Sequence, residues 1–183
     1  MKSRWMALLG VFLLPLFAED IKIIDKGVAK CRIVVAGNAS RPEKFGASEL
    51  AKYFAKITGC GELNGEFPIT VAVQSNMRSA DGFVMDASSK GVSITGGSPR
   101  GALFGCYWFL RKYAGMRWLV PGEDGEYCVH TGRTITVPVG TVVQNPYQPI
   151  RTFGGLPSDE LHLWCARNGM QSSTRQADFA GKD

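Results

Sequence analysis

The chain of 183 residues has few of the features by which many classes of protein are recognised. It contains two histidines, and none of its five cysteines forms a C-x-x-C pair, so a metal site is not expected. It also has no G-x-S-x-G nucleophile motif. A formal net charge of +5 without a long Lys/Arg run does not indicate nucleic-acid binding. We therefore expect no metal, no cofactor and no nucleic-acid partner.

The longest apolar run, Trp5 to Phe17, is shorter than the roughly 20 residues that a membrane span needs. Lys2 and Arg4 precede it, and Ala18 follows it directly before two acidic residues. This pattern is typical of a secretory signal peptide over residues 1–18 and predicts a secreted or periplasmic protein with bacterial-type export. The alternatives are a short N-terminal anchor or a buried helix.

Export favours disulfide bonds, but five cysteines cannot all pair with one another. Cys106 lies in an apolar helical stretch, where a small buried side chain is the simplest interpretation. A secreted thiol protein would need a cysteine with a lowered pKa, and no cationic residues are arranged around one. The sequence does not determine which cysteines pair.

Two segments carry helix signals. Ser40 and Pro42 begin an amphipathic helix predicted to run to Ile57. Ser98 is a natural N-cap for a second helix, predicted over residues 99–114. That helix is apolar nearly all round from Ala102 to Leu110, which predicts that it is buried on most sides.

Short strands alternate with these helices, and an SSKG turn predicts a hairpin between two of them. We expect an α/β domain over residues 19–143, with a mixed sheet of five to seven strands and the two helices packed on one face. A proline-containing linker opens the remaining region, residues 144–183. A strand over Ile150–Phe153 and a helix over Ser158–Met170 are predicted there.

Three groups of residues suggest chemistry, each beside a simpler interpretation. The GGSPRG turn resembles a phosphate loop, but Ala102 and Leu103 stand where Lys and Ser/Thr are required, so a tight helix-capping turn is favoured. The acids Glu123, Asp124 and Glu126 crowd one turn, where a solvated loop is commoner than a catalytic pair. No catalytic residue is therefore assigned.

The third group is aromatic. Trp108, Trp118 and Trp164 have rings that could stack on sugars. Trp108 belongs to the buried helix and is expected in the core. Trp118 precedes a turn and is the candidate for contact with a saccharide.

Residues 91–126 carry a longer pattern: a strand, then G-x-S-x-R-G, an aromatic-rich helix and G-x-R-W-L-x-P-G-E-x-G-E. The pattern resembles the small α/β domain that precedes the catalytic barrel in glycoside hydrolases, namely the α-glucuronidase N-terminal domain and the second domain of β-hexosaminidases. The helix ASELAKYFAKITG and the PI-x-V strand match the same type. The likeness extends over about residues 20–140.

The resemblance implies a non-catalytic N-terminal domain of an exported carbohydrate-active hydrolase. Such a domain supports the barrel and edges the cleft for a poly- or oligosaccharide substrate. It also implies that residues 144–183 are a linker and the first elements of the C-terminal catalytic barrel. Residues 146–183 number 38, too few to complete a barrel, so we expect a truncated product or fragment. Arg151 is the residue of this region placed to contact a sugar. The alternative from another class is a free-standing secreted carbohydrate-binding or surface-adhesion module.

Overall fold

The computed structural model describes residues 20–130, 132–154 and 158–172, so the predicted signal peptide lies outside the described residues. Within them no helix is long and apolar enough to cross a membrane. The elements follow one another as β1 (Asp20–Asp25), β2 (Val28–Ala29), β3 (Cys31–Val35), α1 (Arg41–Thr58), β4 (Phe67–Val73), β5 (Phe83–Ser88), β6 (Gly91–Gly96), α2 (Pro99–Lys112), β7 (Met116–Trp118), β8 (Glu126–Cys128), β9 (Ile135–Pro138), β10 (Gly140–Gln144), β11 (Thr152–Phe153), α3 (Asp159–Arg167) and β12 (Gln171–Ser172).

A five-stranded mixed sheet is the centre of the fold, with strand order β10-β5-β6-β4-β3. The strands β3, β4 and β6 are parallel, whereas β5 is antiparallel to both of its neighbours. The two-residue turn between Ser88 and Gly91 closes the β5–β6 hairpin. The predicted α/β class and the predicted hairpin are therefore confirmed.

One face of this sheet is covered by α1 and α2, which also pack on each other. The side chains that point to the helices are fully buried, as the alternation in β4 and β6 shows at Ile69, Val71, Val92 and Ile94. Residues between them, such as Thr70, lie on the opposite face and keep part of their surface exposed. A period of two with one dry face is the usual pattern of a half-covered sheet.

The first helix begins with a capping box, in which the Ser40 backbone N–H and hydroxyl both donate to the Glu43 carboxylate at 2.8 and 2.6 Å. Glu43 and Glu49 lie off the apolar face of this amphipathic helix, yet both are buried. Glu43 is held by the capping box, and Glu49 faces a cation from α3, described below.

The second helix is buried along most of its length, as predicted from its apolar composition. The Ser98 hydroxyl accepts from the Gly101 N–H at 3.2 Å, which is the expected N-cap bond. A Cβ on Gly101 would lie 2.6 Å from the carbonyl oxygens of Ala80 and Gly82, so only glycine lets the helix approach the sheet so closely. The capping-turn interpretation of GGSPRG thus accounts for the motif.

Three small sheets complete the described chain: β2-β1-β9, β7-β8 and the parallel pair β11-β12. The strand β10 was not predicted, because its short sequence GTVVQ runs into the expected linker at Gln144. It pairs antiparallel with β5 as an edge strand, and much of its surface stays exposed.

Candidate functional site

The last described segment folds as a strand-helix-strand unit, β11-α3-β12, in which the two strands are parallel and pair Thr152 with Gln171. Parallel neighbours need a crossover connection, and α3 supplies it. Ser158 caps this helix by accepting from the Leu161 N–H at 3.1 Å. The expected strand and helix in this region are present, both shorter than predicted. We call β11-α3-β12 the C-terminal unit.

A buried ionic cluster joins the C-terminal unit to the α/β domain. Arg167, at the end of α3, is 5% exposed and reaches two carboxylates of the domain. Its Nη2 lies 3.1 Å from Glu49 Oε2, and its Nη1 lies 3.1 Å from Glu126 Oε1. Lys56 adds a second cation, with Nζ at 2.6 Å from Glu126 Oε2. Two cations thus balance two carboxylates, which is the condition under which buried charge is tolerated.

Aromatic hydroxyl and indole groups satisfy the rest of the cluster. Tyr107 donates to Glu49 Oε2 at 3.0 Å, and Tyr53 donates to Glu126 Oε1. The Trp118 indole in turn donates to the Tyr53 hydroxyl oxygen at 3.0 Å. The Arg167 guanidinium lies 5.6 and 5.5 Å from the ring centroids of Tyr53 and Trp118, within the range of a cation–π contact.

The electrostatics follow from these contacts. Burial is the largest effect on Glu126 and favours its neutral form, but the bonds from Lys56 and Tyr53 and the charge of Arg167 outweigh it, so the pKa of Glu126 is lowered. Burial, followed by the bond to Glu126, raises the pKa of Tyr53. Glu126 is therefore an ion-paired carboxylate. Protonation of this carboxylate would weaken its contacts with Lys56, Arg167 and Tyr53.

A second buried acid holds the other side of the C-terminal unit. Asp81, 7% exposed, is paired with Arg100 of the α2 N-terminus at 2.7 Å and with Arg151 at 3.2 Å. Gln171 of β12 donates to the same carboxylate at 2.7 Å. One domain carboxylate thus holds residues on either side of α3.

Backbone contacts complete the junction. The Trp164 indole of α3 donates to the Trp118 carbonyl oxygen at 2.9 Å, and the Asn168 amide donates to the same oxygen at 3.1 Å. Because the Trp118 carbonyl takes both bonds, β7 is fixed to α3 by its main chain as well as by its side chain.

The two residues predicted to contact a saccharide both lie at this junction. Trp118 is 3% exposed, and its ring packs edge-on against Tyr53 and Tyr107 at centroid distances of 5.3 and 5.4 Å. Arg151 donates to the Gly169 and Gln148 carbonyl oxygens as well as to Asp81. Sugar contact by either residue remains a prediction. To contact a sugar, Trp118 would have to leave its ring contacts or share them, and Arg151 would have to release its hydrogen bonds or share them.

The other residue groups considered above are placed as follows. Glu123 and Asp124 are exposed in a short 3-10 turn, while Glu126 belongs to the ionic cluster.

All five cysteines are free in the described residues. Burial raises the pKa of Cys31 to about 11 and raises that of Cys106 further, which disfavours a reactive thiolate at either position. No group of three metal-ligating side chains occurs in the part of the chain that the structure describes.

Glu49 and Arg167 are the residues that the sequence did not reveal. They are 118 positions apart, and each fits an ordinary solvent-facing helix position when considered locally.

No protein-family model and no curated protein matches the chain. The solved structures described next are similar to this chain and are glycoside hydrolases. A family GH115 4-O-methyl-α-glucuronidase with specificity for decorated arabinogalactans has a TM-score of 0.50 and 11% identity, over 82% of this chain and 25% of its own. A GH20 chitobiase from Flavobacterium johnsoniae has a TM-score of 0.47 and 14% identity, over 77% of this chain and 22% of its own.

A GH20 β-N-acetylhexosaminidase from Streptomyces coelicolor has a TM-score of 0.47 and 19% identity, over 70% of this chain and 26% of its own. The chain therefore spans about a quarter of the length of these structures. At such identities the likeness concerns the fold alone: the chain has an α/β fold that also occurs in glycoside hydrolases.

Proposed function

We propose that this chain is the non-catalytic N-terminal accessory domain of an exported glycoside hydrolase, and that it carries the first elements of the catalytic barrel. The observation behind the proposal is the buried cluster of Arg167, Glu49 and Glu126. This cluster fastens a parallel strand-helix-strand unit to the α/β domain.

The C-terminal unit supports the proposal through its topology. Parallel sheets are found almost only where both faces are covered and several strands are present. Within the described residues β11 and β12 pair only with each other, and Phe153 keeps 44% of its surface exposed. A parallel βαβ unit of this kind is the repeat from which (β/α)8 barrels are built. Further strands would cover it in a complete hydrolase.

The ion pairs at the junction favour a structural role for Glu49 and Glu126 over a catalytic role. Each of the carboxylates Glu49 and Glu126 is neutralised by a cation within hydrogen-bond distance. A pair that acts on a glycosidic bond needs a proton donor and a nucleophile or base facing a shared cleft. In this proposal the catalytic acids belong to later barrel strands.

The proposal is tested with the purified chain and a panel of aryl glycosides that covers hexosaminides, glucuronides and common hexosides. We expect no hydrolysis above buffer, and clear turnover would contradict a non-catalytic role. The reading frame after codon 183 gives an independent test. An open frame with alternating strand and helix patterns supports the accessory domain, whereas a stop codon favours the free-standing binding module.

Export remains part of the proposal. It rests on the signal-like pattern of residues 1–18, and fractionation of the producing cell tests it. Recovery of a chain lacking that segment outside the cytoplasm supports export, and retention of an uncleaved chain in the cytoplasm contradicts it.

A further inference from the structure

A cavity of about 440 Å³ lies where α2 ends, beside β7 and the end of α3. Its lining is dominated by cations and tryptophans, and it contains no acidic side chain. The lining residues are Trp108, Arg111, Lys112, Arg117, Trp118, Leu119 and Asn168. None of the ion pairs within the described part of the chain involves the three cations.

Arg111 is the unusual member of this set. Its Nε is buried and has no hydrogen-bond partner among the described residues. Leaving a buried donor unpaired destabilises the folded protein, and more so where the group is charged. Burial, and after it the charge of Arg117, lowers the pKa of the Arg111 guanidinium. An anion bound in the cavity would offset the repulsion between these two guanidinium charges.

Arg117 is held in place by the protein itself. Its Nη1 donates to the carbonyl oxygens of Arg111 and Met116, each at 2.7 Å. The remaining donors of the planar guanidinium stay available, and a planar fork suits carboxylate and sulfate oxygens. The cavity therefore holds one fixed and one under-satisfied guanidinium, with Lys112 beside them.

We propose that this cavity binds an acidic saccharide, with its carboxylate or sulfate group on Arg111 and Arg117. The inference of an anion rests on the three cations of the lining, none of which has an ion-pair partner in the described residues. The saccharide part rests on the proposed function and on the partly exposed Trp108, since an indole offers an apolar face to a sugar ring.

The test is calorimetric titration of the whole chain with three saccharides: glucuronate, glucose 6-sulfate and glucose. The first two share a ring with the third and differ from it by a charged group. We expect one or both acidic sugars to bind at least about tenfold more tightly than glucose, a difference of about 1.4 kcal/mol. The acidic sugar that binds identifies the anion. Equal affinity for all three, or no binding by either acidic sugar, would overturn the proposal.

Three variants locate the site. Arg111→Gln should weaken acidic-sugar binding about tenfold or more, and Lys112→Gln, at an exposed position, should weaken it about threefold while leaving the fold intact. Arg78→Gln removes the same charge from an exposed loop and should change nothing. If Arg78→Gln and Lys112→Gln weaken binding equally, the effect is one of net charge and the site assignment is wrong. These outcomes are independent of the aryl-glycoside assay, so either proposal can fail alone.

Discussion

The buried cluster makes a quantitative prediction for Arg167→Met. The variant removes the guanidinium but keeps most of the apolar stem, so its main consequence is that Glu49 and Glu126 lose their ion pairs with Arg167. Breaking a buried ion pair from one side costs about 3–5 kcal/mol, because a charge is left without its partner. In the variant Lys56 still neutralises the charge of Glu126. Glu49 keeps only Lys52, whose Nζ lies 3.9 Å from Glu49 Oε1 and whose side chain is half exposed. We therefore expect the free energy of unfolding to fall by about 3 kcal/mol, the lower end of that range.

Urea denaturation followed by tryptophan fluorescence measures this loss. With a slope of about 2 kcal/mol per molar urea, a loss of 3 kcal/mol lowers the midpoint by about 1.5 M. Arg78→Met makes the same chemical change at an exposed position and should stay within about 0.5 kcal/mol of the wild type. A loss below about 1 kcal/mol in Arg167→Met, with a normal control, would refute the argument that the cluster anchors α3.

One further variant separates the effect of unpaired charge from that of lost packing. Adding Glu49→Gln to Arg167→Met removes the stranded carboxylate, so the double variant should be more stable than Arg167→Met alone. If it is less stable, then the loss arises from packing and the ionic explanation fails. The comparison requires both variants to unfold in one transition, which the fluorescence curves show directly.

The pH dependence has a definite sign. Since the pKa of Glu126 is lowered in the folded protein, its contribution to stability is fully present above its unfolded value and is lost as pH falls through the folded value. Removing Arg167 takes away one of the groups that lower it, so Glu126 in the variant binds a proton at higher pH. The stability difference between wild type and variant should therefore hold near neutral pH and shrink below about pH 4.5, as pH falls toward the lowered pKa of Glu126 in the folded wild type. A constant difference would contradict the assigned contacts.

Three other predictions concern the rest of the fold. Asp81→Asn should weaken the hold on the C-terminal unit and speed limited proteolysis of the linker before β11, as gel analysis would show, and unchanged cleavage would contradict that role. Gly101→Ala should lower the melting temperature by several degrees, because its Cβ would meet two backbone oxygens at 2.6 Å, whereas Gly37→Ala, with open space around it, should be tolerated. Cys31 and Cys106 should react with a thiol reagent only after unfolding, and fast labelling of either in the native protein would contradict their burial and raised pKa.

The sequence predicted elements wherever local signals agreed. Ser98, Pro99 and an apolar run define α2 so completely that its cap, its burial and the tight packing of Gly101 follow from a few residues. The short edge strand β10 was missed because its identity comes from pairing with β5, and its own composition does not separate it from a linker. The three-stranded β2-β1-β9 sheet likewise depends on partners more than 100 residues apart, such as Asp20 and Pro138.

The ionic cluster could not be predicted from local sequence patterns, for a different reason. An amphipathic pattern assigns charged residues to the water-facing side, and that rule places Glu49 in solvent. The rule fails where a distant cation enters the interior, and no local signal indicates that Arg167 does so. Sequence positions that break a pattern rule in this way concentrate at junctions and functional sites.

The balance of charge at the junction also bears on what the cluster does. A well-packed apolar contact would hold α3 at least as firmly as buried ions, since desolvation offsets much of the attraction between charges. What the ions add is discrimination between arrangements. If α3 turned by one residue, Arg167 would leave Glu49 and Glu126, and two carboxylates would remain in the interior without it. An apolar interface would carry no comparable penalty for such a shift. The cluster is therefore suited to fixing the orientation of the C-terminal unit on the α/β domain.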